Sequence, residues 1–126
     1  MGHLAVSRLT VLYDSECALC RRIQGWMQNQ PKYVEVAFVA ATSAEAYRRY
    51  PKLNHAITLD DLTVISERGA VYWGPKAWLM CMWALKQYRP WALRLSAPEL
   101  LPTTKRVLAS ISENRYRISK AVGTKV

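Results

Sequence analysis

The chain has 126 residues, 51% hydrophobic and 21% charged, with five Gly, six Pro and three Cys. This composition excludes disorder and collagen-like repetition. Three cysteines are too few for a disulfide-stapled scaffold, and the length suits a single domain over residues 1–126 with a buried core. The net charge is +9 and uneven, because residues 86–126 hold nine basic against two acidic residues, a net +7.

From the N-terminus, Met1 to Val6 carries neither the basic leader nor the apolar centre of a secretory signal, which makes the cytoplasm the expected location. Leu9 to Tyr13 is a β-branched and apolar run that reads as a buried strand. Asp14-Ser15-Glu16 supplies capping residues and acidic charge for a helix start. From Cys17 the pattern is helical, with Leu19, Ile23, Trp26 and Met27 on one side and Arg21, Arg22, Gln24 and Gln28 between them. Pro31 ends it, since the residue before proline disfavours helix. Val34 to Ala40 reads as a second, central strand. Thr42 or Ser43 caps a short helix, Ala44 to Tyr50, that Pro51 stops.

Thr63 to Ser66 and Ala70 to Trp73 flank Glu67-Arg68-Gly69, a Gly-containing connection of hairpin length. Gly74-Pro75 closes the hairpin, and Lys76 to Tyr88 follows as a strongly apolar helix. Its longest apolar run, Ala77 to Leu85, has nine residues. Crossing a bilayer takes about 20, so no membrane partner is expected. Arg89-Pro90 interrupts this helix, and Trp91 to Leu95 continues as another turn. Thr103 or Thr104 caps a final helix to about Lys120. The basic C-terminal third reads as a solvated face, with no nucleic-acid partner. Its aromatics Tyr88, Trp91 and Tyr116 are few and follow the apolar positions of helices expected to cover the sheet. Strand, helix, strand, helix, hairpin and helices make an α/β fold of the thioredoxin-like kind: a four-stranded mixed sheet with helices on both faces and extra C-terminal helices.

Cys17-Ala18-Leu19-Cys20 is the strong chemical signal. It follows a predicted strand and opens a predicted helix, the setting in which C-x-x-C is redox-active. A thiolate at a helix start meets unpaired backbone N–H groups and the positive end of the helix dipole, which favour the nucleophilic form. The spacing of three places the second sulfur on the same face, where it can attack a mixed disulfide formed by the first. The accessible helix end assigns attack to Cys17 and resolution to Cys20, with Arg21 adding positive charge nearby. Asp14 is expected to cap the helix and to exchange a proton with the resolving thiol. This chemistry requires no organic cofactor and no metal, and its partner is a thiol or disulfide on a protein or small molecule.

Two other readings compete. C-x-x-C is half of a zinc site, but completing it requires Cys81, His55 and His3 to converge from three segments. A non-catalytic interaction module would keep the fold and bind a partner through the basic, Trp-rich C-terminal half. Cys81, between Met80 and Met82, is expected in the core. Trp73 and Trp78 are the candidate aromatics for a groove beside the cysteines, and His55 has no evident partner.

Tyr13-Asp14-Ser15-Glu16-Cys17-Ala18-Leu19-Cys20-Arg21-Arg22 resembles the signature of the DCC family of thiol-disulfide oxidoreductases, named for an Asp and two Cys that stand here at 14, 17 and 20. The family's usual Gly after the Asp and Pro after the first Cys are replaced by Ser15 and Ala18. Gly69-Ala70-Val71-Tyr72-Trp73-Gly74, followed by Ala77, resembles its hairpin and helix entry, and Asn114-Arg115-Tyr116 resembles its closing motif. The resemblance implies a thioredoxin-like fold and dithiol exchange at Cys17 and Cys20. Thioredoxins place a cis-proline before the third strand, facing the disulfide. No Pro lies between Pro51 and Pro75, so Leu62 or a neighbour takes that place.

Overall fold

The computed structural model describes residues 7–122. Strand β1 (Arg8–Tyr13) leads through helix α1 (Ala18–Gln28) to β2 (Glu35–Ala40). β2 lies parallel to β1, with Leu9 opposite Val36 and Tyr13 opposite Ala40. Helices α2 (Ala44–Arg49) and α3 (His55–Asp60) precede β3 (Thr63–Ser66) and β4 (Val71–Trp73). β3 runs antiparallel to β1 and β4 antiparallel to β3, so the sheet order is β2-β1-β3-β4. Helices α4 (Gly74–Ala84), α5 (Arg89–Leu95), α6 (Leu101–Glu113) and α7 (Arg115–Val122) complete the described chain. This is the thioredoxin-like α/β arrangement: a four-stranded mixed sheet clothed by helices.

The pleat sorts the side chains. Successive strand residues point to opposite faces. On one face Leu9, Val11 and Val64 pack with Met27 of α1 and with Ala77, Cys81 and Ala84 of α4, and Val36, Phe38 and Tyr72 close around them. On the other face Leu12, Val39 and Ile65 pack with Ala46 of α2, beside Tyr50, Leu53 and Val71. The hairpin turns where expected. Gly69 has φ of +90°, a conformation that a side chain would strain. The Ser66 hydroxyl accepts from the backbone N–H groups of Arg68 and Ala70.

Several boundaries differ from the sequence reading, among them the start of α6, where Leu100 is the N-cap and neither Thr103 nor Thr104 caps the helix. α3 was not anticipated, although Asn54 announces it: its side-chain oxygen accepts from the N–H groups of Ala56 and Ile57. α4 stops at Ala84 because Leu85 turns extended and bridges to Lys32, at the approach to β2. The single final helix is two helices. The Asn114 side chain donates to the Ser110 carbonyl at the C-terminus of α6, and α7 starts at Arg115. α1 begins one residue later than Cys17, which is its N-cap.

Cys81 sits in the core as expected. Burial pushes its thiol from the ordinary 9.0 up to about 12. Between those values the unfolded chain releases the proton while the folded chain keeps it. The stabilisation is present below pH 9.0 and is lost as pH rises toward 12. Urea unfolding across this window should therefore show wild type losing up to about 1.4 kcal/mol per pH unit more than Cys81→Ala. Parallel curves for the two proteins would contradict an enclosed Cys81.

Candidate active site

The site forms where β1 hands the chain to α1. The N–H of Cys17 donates to the Asp14 carbonyl at 3.2 Å, which tightens the entering turn. Cys17 is extended, as an N-cap residue should be, and its Sγ accepts from the N–H of Cys20 at 3.2 Å. The sulfur thus takes the place that a Ser or Asp oxygen occupies at most helix starts. The structure holds Cys17 and Cys20 as free thiols. Their exposure reverses the expected order, since Cys17 is wholly buried and Cys20 is partly exposed. Burial pushes the Cys20 thiol far above its ordinary range. A hydrogen bond to Cys17 and electrostatic interaction with Cys17 and Asp14 act in the same direction, while Arg115 opposes them.

Asp14 does not cap α1. Its Oδ1 accepts from the N–H of Glu16 at 3.0 Å, a local turn closed two residues on. Capping passes to Cys17 because the chain needs that extra turn to leave the strand. The other carboxylate oxygen faces across the molecule. The Tyr116 hydroxyl donates to Oδ2, and Arg115 Nη2 stands 3.6 Å from the same atom. The Asp14 side chain is 4% exposed and that of Arg115 17%. Burial, the Asp14 hydrogen bond and the Asp14 charge raise the Tyr116 hydroxyl to about 12, so it stays a donor at neutral pH. α7, which carries both residues, packs across α1.

Arg21 does not serve the thiols as expected. Its guanidinium donates to the Ser15 carbonyl at 2.6 Å, on the exposed side of the turn. The cation acting on Cys20 is Arg115, which the sequence reading had not placed at the site. Its signal was present: Asn114-Arg115-Tyr116 stood out as a motif, but nothing local tied it to Asp14, 102 positions before Tyr116.

Beside these groups lies a cavity of about 50 Å³. Asp14, Cys20 and Arg115 line its polar side, and Val11, Phe38 and Trp78 are among its apolar walls. Leu62, expected in the position of the thioredoxin proline, is a wall residue, and no peptide bond among the described residues is cis. Cys81 reaches the same cavity from α4. Trp78 lines it and donates its indole N–H to the Ser112 hydroxyl at 3.3 Å, whereas Trp73 is not a wall residue.

The remaining candidates lie elsewhere. His55 is buried at the start of α3, where Nε2 donates to the Tyr50 carbonyl at 2.8 Å and the ring lies against Tyr47. His3 lies outside the described residues. Among the described residues no three His, Cys, Asp or Glu side chains gather closely enough to hold a metal ion. Trp91 does not cover the sheet as expected. It is 51% exposed, with the Arg94 guanidinium over its ring. Arg89 lies over both Tyr33 and Trp83, at 4.2 and 4.0 Å from their centroids. The basic rim therefore stacks on its own aromatics. Among the described residues no helix is long and apolar enough to cross a membrane.

No curated protein and no solved structure matches the chain significantly. A family model does, over residues 11–121, a span that takes in the Asp14 turn, both closely placed cysteines and the Arg115–Tyr116 pair that meets them. By that match the chain belongs to the DCC1-like thiol-disulfide oxidoreductase family.

Proposed function

We propose that this protein exchanges disulfides with thiol or disulfide groups of proteins or small molecules through Cys17 and Cys20, as a single cytoplasmic domain. Cys17 attacks, Cys20 resolves, and Asp14 handles the Cys20 proton. One observation carries the assignment: the Cys17 sulfur receives a backbone N–H at the helix start, while Cys20 is desolvated and kept protonated. A backbone N–H bond at a helix start favours negative charge on the sulfur that accepts it, and thiolate character makes a sulfur nucleophilic. Neither sulfur needs an organic cofactor or metal for this chemistry.

In the forward direction the Cys17 thiolate attacks a substrate disulfide, and one substrate sulfur leaves with the electron pair of the broken bond. Cys20 then attacks Cys17, releases the second substrate sulfur and leaves a Cys17–Cys20 disulfide. Because Cys17 is enclosed, the first attack requires the Ser15–Glu16 turn or α7 to shift enough to admit the substrate sulfur.

The assignment is tested by trapping. Cys20→Ser should accumulate mixed disulfides on Cys17, whereas Cys17→Ser should accumulate few. Mass spectrometry after incubation with an aromatic disulfide reads both. Equal trapping by the two variants, or preferential trapping on Cys20, would reverse the roles and make the more exposed sulfur the attacking one.

A further inference from the structure

Asp14 would be of little use to Cys20 as a freely rotating, uncompensated carboxylate. Its negative charge opposes formation of a second negative charge on Cys20. The structure instead fixes both oxygens, Oδ1 by the Glu16 N–H and Oδ2 by the Tyr116 hydroxyl, with Arg115 beside Oδ2. The titratable and charged groups around Asp14 come from several elements. Cys17 and Cys20 belong to the start of α1 and Arg115 and Tyr116 to α7, while Tyr13 of β1, Cys81 of α4 and Asp61, just after α3, line the same cavity. Of the charged groups that bear on Cys20, Arg115 is the one that favours its thiolate.

We propose that Arg115 and Tyr116 are positioning residues for the resolving half-reaction, with Tyr116 holding the Asp14 carboxylate in place to take the Cys20 proton and Arg115 favouring the thiolate that this transfer leaves on Cys20. The inference rests on the exchange reading above. In the step concerned, the Cys20 sulfur attacks the Cys17 sulfur of a mixed disulfide and a Cys17–Cys20 bond forms. The bond between Cys17 and the substrate sulfur breaks, and its electron pair leaves with the substrate. The Cys20 proton passes to Asp14, and from Asp14 to the leaving thiolate or to water. No outside oxidant or reductant enters this step. Tyr116 fixes the carboxylate through a neutral donor, and Arg115 supplies the positive charge that favours the Cys20 thiolate. The Tyr116–Asp14 contact joins residues 102 positions apart, so the proton acceptor is complete only in the folded chain.

The test is a single turnover. Wild type, Arg115→Gln, Arg115→Lys and Tyr116→Phe are each loaded at Cys17 as the mixed disulfide with a chromophoric aromatic thiol. Release of that thiol is followed by absorbance across pH, with thermal melts confirming that each variant is folded. Arg115→Gln should release about tenfold more slowly at neutral pH, with its profile displaced about one unit upward, the equivalent of one pKa unit on Cys20. The rates should converge at high pH, where hydroxide removes the proton. Arg115→Lys should restore most of the neutral-pH rate, and Tyr116→Phe should slow release at neutral pH while keeping Arg115 in place. Uniform slowing at every pH, failure of Lys to rescue, or profiles that superimpose on wild type would overturn the inference. A wild type that takes up no aromatic thiol and releases none would sink the exchange reading itself. A wild type that exchanges beside an indifferent Arg115→Gln sinks only the role of α7.

Discussion

Cys17→Ala should lower the rate of thiol–disulfide exchange by at least about a thousandfold, because it removes the nucleophile and Cys20 cannot replace it. Cys20 has the wrong environment for that role: burial and the Asp14 charge hold its proton, whereas the helix-start N–H bond goes to the Cys17 position. The comparison variant is Cys81→Ala. Cys81 lines the same cavity as Cys20, yet its thiol is enclosed, so exchange should proceed at the wild-type rate. Insulin reduction with an added dithiol donor distinguishes the cases. Residual activity in Cys17→Ala above a few per cent would mean that Cys20 works alone. A large loss in Cys81→Ala would make the cavity wall part of the chemistry.

Leu12→Ala should be the most damaging single truncation in the core, at about 3 kcal/mol with a melting temperature lower by roughly 10 °C. Leu12 has no exposed surface and is the centre of the smaller face, packed with Val39, Ala46 and Ile65. Tyr50, Leu53 and Val71 also pack against this cluster, so truncating Leu12 opens a cavity among closely packed side chains. Leu12 also stands two residues before Asp14, so loosening it should disturb the end of β1 that carries the site. Leu93→Ala provides the contrast. Leu93 is 61% exposed, and its loss should change stability by less than about 0.5 kcal/mol. Calorimetric melts of both variants measure the difference, and similar melting temperatures would show that the second face is not a closed core.

Local chemistry was enough for the framework. The β-branched run at Leu9 to Tyr13, the apolar run at Val34 to Ala40 and the Gly69 turn each specify their element from adjacent residues. The structure places β1, β2 and the β3–β4 hairpin there. The parallel β1–β2 pairing agrees with the helix between them, which carries the chain back to the end of the sheet where β1 starts. The C-x-x-C spacing is itself a statement about distance, because three helical residues bring two side chains to one face. A family resemblance carried by ten residues of this stretch pointed to the same chemistry.

What the sequence could not supply were relations between distant surfaces. Periodicity identifies the apolar side of a helix but not what lies on it, so Trp91 was assigned to the sheet when it stands half-exposed under Arg94. A helix start is normally accessible, but here Cys17 is enclosed, at the start of the helix against which α7 packs. Asp14 was legible as a capping residue because capping is a local bond. Its partners Arg115 and Tyr116 were not, because their contact closes a loop of about a hundred residues and carries no spacing rule. The sequence by itself determined which residues are candidates for chemistry. The tertiary structure decided which of them are buried, which charges face them and which helix completes their site, since burial and electrostatic environment are properties of the assembled surfaces and not of any one segment.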